Sequence, residues 1–166
     1  MNIFGMRFGS KVSSPVRAAG EVTAVGAATV LRCIRGRRSA ASAAGMRGGR
    51  GGDSFPGVLR KMIEEKCSGD AGFVCRRSGF DRRSYRQIAG GASVSKRAAM
   101  QFAIGLQLTR DEADRLLDAA DFSFSDSEPE DVAFGYCLDN RMWNLRDLNV
   151  ILRSCGMSEI CLPEGY

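Results

Sequence analysis

Histidine is absent from the 166 residues. That removes every imidazole general base, every His-activated nucleophile and the His-containing zinc sites. No two of the six cysteines stand in a C-x-x-C pair, so the usual zinc spacings are missing too. No stretch reaches the ~18 apolar residues that a membrane span needs. Nothing alternates apolar with polar in the manner of a strand. Together these absences predict a non-enzymatic chain with no metal, no cofactor and no membrane segment.

What is present is enough apolar material, 44% of the residues, for one domain with a modest core. Cys33, Cys67, Cys75, Cys137, Cys155 and Cys161 are irregularly spaced, which predicts mostly reduced thiols and a cytoplasmic setting. The formal charge is +5, and its placement matters more than its total. Residues 1–52 hold nine Lys/Arg and one acid, and the remainder holds fifteen Lys/Arg and eighteen acids. That remainder is itself polarised. Residues 60–97 carry ten basic and four acidic side chains, while residues 98–166 carry five and thirteen.

The first segment, residues 1–52, has ten glycines and nine alanines. It lacks a sustained helical or alternating pattern and reads as a disordered basic Ala/Gly/Arg-rich tail that does not pack by itself. Other readings stay open. Its Arg/Ser/Ala-rich, acid-poor character fits a transit-type targeting peptide, and less well a secretory signal, because Glu21 interrupts the apolar run. The stretch Arg47 to Gly52 reads RGGRGG and resembles an RNA-contacting RGG box. A start at Met46 would leave a shorter chain.

Beyond Gly52 the pattern turns helical, with cap residues at the breaks, and predicts an all-α domain over residues 53–166, a compact bundle of about seven helices. The first runs from about Pro56 to Lys66. Asp70 caps a second through Arg77, and Asp81 caps a third to about Ala89. A fourth spans about Lys96 to Gln107 with Ala99, Phe102, Ala103 and Leu106 inward. Thr109 and Glu112 form a capping box for the fifth. A C-terminal helical pair occupies 127–156. Ser127 is the expected cap of a helix around Val132 to Leu138, and Asn144 of one from Leu145 to Ser154.

The stretch from Gly79 to Gly91, GFDRRSYRQIAGG, sets three arginines and a glutamine among large apolar residues. At ~100° per residue, Tyr85 and Ile88 share one face of the helix and Arg82, Arg83, Arg86 and Gln87 the other. Arg82 and Arg83 lie in the first turn, where the helix dipole is positive and disfavours cations. An external anion, phosphate above all, would relieve that conflict.

Two short helices joined by a glycine turn, then an amphipathic helix leading to LQLTRDEADRLL, resemble the lambda-repressor/Xre-type helix-turn-helix over 55–124. Gly79 matches that family's turn glycine, Asp81 the cap of the recognition helix, and Tyr85 and Ile88 its inward anchors. FDRRSYRQI and SKRAAMQFAIGLQLTRDEADRLLDAADFSFS are also similar to the helical module that follows macro domains in some bacterial proteins, although no macro domain is present. The first resemblance implies a small regulator of transcription that binds double-stranded DNA, its second helix in the major groove. Arg82, Arg83 and Arg86 would then read bases or clamp phosphates, and Gln87 would meet adenine. Lys96, Arg97, Arg76 and Arg77 would hold the flanking backbone. The acidic C-terminal helices offer a surface for a second copy or a protein partner. The competing reading is a non-enzymatic protein-protein interaction module that uses oppositely charged surfaces.

Overall fold

The computed structural model describes residues 19–36 and 54–162. Its elements are eight helices: α1 (Ala19–Gly36), α2 (Phe55–Cys67), α3 (Ala71–Ser78), α4 (Arg82–Ala89), α5 (Lys96–Gly105), α6 (Arg110–Asp118), α7 (Pro129–Asp139) and α8 (Leu145–Ser154). Among the described residues there is no strand, and no helix is long and apolar enough to cross a membrane. The six cysteines are all free.

Local capping chemistry sets most helix starts. Asp70 accepts from the Phe73 amide at 3.0 Å. The Thr109 hydroxyl accepts from the Glu112 amide, and the Glu112 carboxylate accepts from the Thr109 amide at 2.8 Å, the reciprocal pair the spacing predicts. Asn144 accepts from the Arg146 amide at 2.9 Å. At α7 the expected cap is displaced. Glu128 rather than Ser127 occupies the cap position, without a side-chain bond, and Pro129 opens the helix at a position where its fixed φ suits the first turn. Helix α5 ends at Gly105, two residues early, as Gln107 turns to φ 56°.

Helix α5 is the hub. The run from Ala99 to Gly105 is buried throughout rather than along one stripe. It touches α3, α6, α7 and α8, so the 55–124 core and the C-terminal pair share one interior. Fully buried Phe102 collects the rings of Phe55, Phe80 and Tyr85 at 6.4, 4.6 and 6.4 Å.

One helix lies inside the segment whose composition reads as a tail. Along α1, Ala27 and Val30 are buried and Ile34 is partly buried, a helical i, i+3, i+7 stripe. Small residues hide that stripe in the sequence. A Cβ added at Gly26 would stand 2.7 Å from Tyr136 Cε1, so α1 approaches closely where a larger residue could not. It packs on α7 and α8 and gains its burial from them. The RGG-like stretch, Met46 and the rest of 1–18 and 37–53 lie outside the described residues.

Candidate nucleic-acid interface

Helices α3 and α4, eight residues each, are joined by the turn Gly79–Phe80–Asp81. Gly79 adopts φ 71°, the left-handed region that L side chains rarely occupy. The next residue, Phe80, then stacks on Phe102 at 4.6 Å. Asp81 Oδ1 accepts from the amides of Arg83 at 2.7 Å and Ser84 at 2.8 Å, and its Oδ2 accepts from the Ser84 hydroxyl at 2.7 Å. The Ser84 amide, with the Ser84 hydroxyl and the Arg83 amide, holds the Asp81 carboxyl below its ordinary range. Below the turn, α3 lies almost on the α5 backbone. A Cβ at Gly105 would collide with Ser78 Oγ and stand 2.8 Å from Ser78 N, so only glycine permits that spacing.

Tyr85 and Ile88 face inward, which rolls the polar face of α4 to solvent. Arg82, Arg83, Arg86 and Gln87 are exposed, as is Arg76 at the end of α3. Among the described residues no carboxylate pairs with any of these four arginines. Arg82 Nη2, Asp70 Oδ1 and Arg76 Nη1 lie 3.1, 3.2 and 3.7 Å from the point a Gly72 Cβ would occupy, so guanidinium groups from both helices converge, with the Asp70 cap carboxylate beside them, over the bare backbone of α3. A cleft of about 300 Å³ beside them is bounded by Asp70, Gly72, Cys75, Tyr85, Arg82 and Arg86. Burial raises the Cys75 thiol despite the counteracting Arg82 charge. Burial likewise pushes Cys137 up to about 12, so neither is poised as a thiolate.

Three of the sequence-predicted contacts are engaged elsewhere. Lys96 Nζ pairs with Asp131 Oδ2 at 2.5 Å and Glu128 Oε2 at 3.0 Å. Burial alone would lower its pKa, but those two carboxylates outweigh it and hold the ammonium charged. Arg97 pairs with Glu130 and donates to the Ser158 carbonyl at 2.6 Å. The fold sets the acid-rich start of α7 against the basic start of α5, so these two cations are neutralised within the molecule rather than presented to a backbone. Arg77 is half-buried. Its guanidinium lies 5.4 Å from the Phe73 ring centroid and beside the Gln107 amide, whose oxygen accepts from it once turned toward Nη2.

The sequence reading missed Arg60. It is exposed on α2, which packs against α4; burial raises the Tyr85 hydroxyl of α4 and the Arg60 charge only partly counteracts that, so a third helix adds to the basic surface. Its contribution depends on α2 packing against α4, a long-range relation with no local signature. No protein-family model matches the chain, and comparison with curated proteins and with solved structures found no significant match.

Proposed function

We propose that the chain is a small helix-turn-helix DNA-binding protein, a transcriptional regulator that lays α4 in the major groove. The observation that carries this reading is the cluster of exposed arginines, Arg82, Arg83, Arg86 and Arg76, none of which makes an ion pair among the described residues although Asp70 lines the same cleft, in a molecule that neutralises Lys66, Lys96, Arg97 and Arg153 with its own carboxylates. Arg82, Arg83 and Arg86 supply base or phosphate contacts and Gln87 an amide suited to adenine. Arg76 and Arg60 sit at the sides, where phosphates of a groove-bound helix pass. Lys96 and Arg97 are left out of the contact set because carboxylates of α7 already meet their charges, and Arg77 because it is half-buried against Phe73.

Anisotropy titration of duplex DNA with the full chain tests this. Changing Arg82 and Arg83 to Ala together is expected to weaken binding about tenfold or more and to flatten the slope of log K against log salt by about two. Changing Arg47 and Arg50 to Ala in the RGG-like stretch separates tail binding from α4 binding. Affinity that follows Arg47 and Arg50 and ignores Arg82 and Arg83 defeats the reading. Capture of a protein partner with no DNA affinity at low salt would instead favour the interaction module with oppositely charged surfaces.

A further inference from the structure

Beyond the end of α8 the chain turns back as a non-helical segment, residues 157–162, which passes the start of α5 and reaches the α3–α4 turn. Gly156, at φ 73° and with nothing within 4 Å of where a Cβ would stand, gives it a free pivot. From there a buried side chain takes hold of the backbone. Asn149 of α8, 7% exposed, accepts from the Ile160 amide at 2.8 Å and donates to the Ile160 carbonyl at 2.9 Å. One side-chain amide thus meets both polar groups of one residue, the pairing that a neighbouring strand would supply. Arg97 of α5 donates to the Ser158 carbonyl at 2.6 Å, and Arg153 holds Glu159 through two bonds of 2.7 Å.

The segment ends against the glycine that joins α3 to α4. Leu162 Cδ2 and Leu145 Cδ1 lie 3.3 and 3.2 Å from the point a Gly79 Cβ would occupy, and the Cys161 carbonyl oxygen lies 3.9 Å from it. Gly79 therefore serves twice, for its positive φ and for the room it leaves the segment. Yet little apolar surface holds the segment down. Of residues 157–162 only Ile160 is buried, and Ser158, Glu159 and Cys161 are exposed. Few buried apolar contacts and solvent-exposed polar ones mark an element that opens well before the whole fold does. We propose that residues 157–162 are a strap that latches the α3–α4 turn, with Asn149 as the residue that positions it, and that release of the strap loosens the turn while the helices stay packed. Anything that captures the released segment would then act on α4 without touching its basic face. The inference rests on packing and is independent of DNA binding.

Amide hydrogen exchange of the full chain, read by NMR, tests the latch at three sites. The Ile160 amide reports the clasp, and the Phe80 amide, bonded to the Cys75 carbonyl at 3.0 Å, reports the turn. The amide of fully buried Leu117 in α6 reports global unfolding. Asn149→Ala removes both clasp hydrogen bonds, and Ile160 exchange is expected to quicken about tenfold or more. Phe80 quickens with it while Leu117 does not. Because Asn149 is buried, its loss can lower global stability as well, so Leu162→Ala is the second variant. It removes the contact on Gly79 and leaves the clasp, and Phe80 exchange should rise about threefold or more with Leu117 unchanged. The proposal is overturned by an Ile160 rate that ignores Asn149→Ala, or by a Phe80 rate that stays fixed when Ile160 quickens. Where all three amides rise together in Asn149→Ala, Leu162→Ala decides, and a Phe80 rate there that is unchanged or only tracks Leu117 overturns the latch.

Discussion

Helices α4 and α5 both open with a capping side chain followed by two consecutive cations, Asp81 before Arg82 and Arg83, and Ser95 before Lys96 and Arg97. In each, the cations meet the positive end of the helix dipole, which disfavours them. At α5 the conflict is resolved internally, because Glu128, Glu130 and Asp131 from α7 close on the pair. At α4 no described carboxylate pairs with Arg82 or Arg83, and both stay in solvent. The same local pattern is therefore structural in one helix and available to an outside anion in the other. What separates them is the cap, a carboxylate at α4 and a hydroxyl at α5, and which surface faces each helix start.

The contrast can be broken most strongly at α5. Lys96→Ala leaves the buried Asp131 carboxylate without its counter-ion, and denaturant unfolding should show a loss of about 3 kcal/mol. If the stability is unchanged, the pair does not resolve the conflict at α5. Arg97→Ala removes a half-exposed pair with Glu130, and roughly 1 kcal/mol is the expected loss.

At α4 the cap and the cations pull in opposite directions. Asp81→Ala lowers Tm, because the Arg83 and Ser84 amides lose their acceptor. The folded-state pKa of Asp81 is depressed, so its contribution is fully present above the unfolded value and is lost as pH falls through the folded one. The Tm gap between wild type and Asp81→Ala should accordingly be full near neutral pH and close in acid, below pH ~4. A gap that widened in acid would contradict this assignment. The smallest effect belongs to Arg82→Ala with Arg83→Ala, which should move stability by no more than about 0.5 kcal/mol. A large loss there would reveal an internal partner for these arginines and erase the difference between the two helices.

Much of this architecture is legible before folding. The caps Asp70, Asp81, Thr109 and Asn144 act within three residues, so their positions alone mark the helix starts. The inward faces of α4 and α8 follow from period, and Ile88, Leu148, Ile151 and Leu152 are buried where the spacing places them. Helix α1 was obscured because its buried positions include Gly26, Ala27 and Val30, and the glycine has a reason only in the close approach of Tyr136 and Ile151 from α7 and α8. The strap was equally obscured, since it needs α5, α8 and the α3–α4 turn together.

By itself, the sequence determined the helices from α2 to α8, the caps at Asp70, Asp81, Thr109 and Asn144 and which face of α4 carries arginine, because these depend on hydrogen bonds and periodicities spanning a few residues. Tertiary structure alone decided which cations stay unneutralised. The basic run of residues 60–97 and the acidic residues beyond it look like two poles of a chain, yet folding pairs Lys66 with Glu112, Lys96 with Asp131 and Arg97 with Glu130. Coulomb attraction depends on separation in space, and separations of some thirty or more residues along the chain become ion-pair contacts only when α2 packs on α6 and α5 on α7.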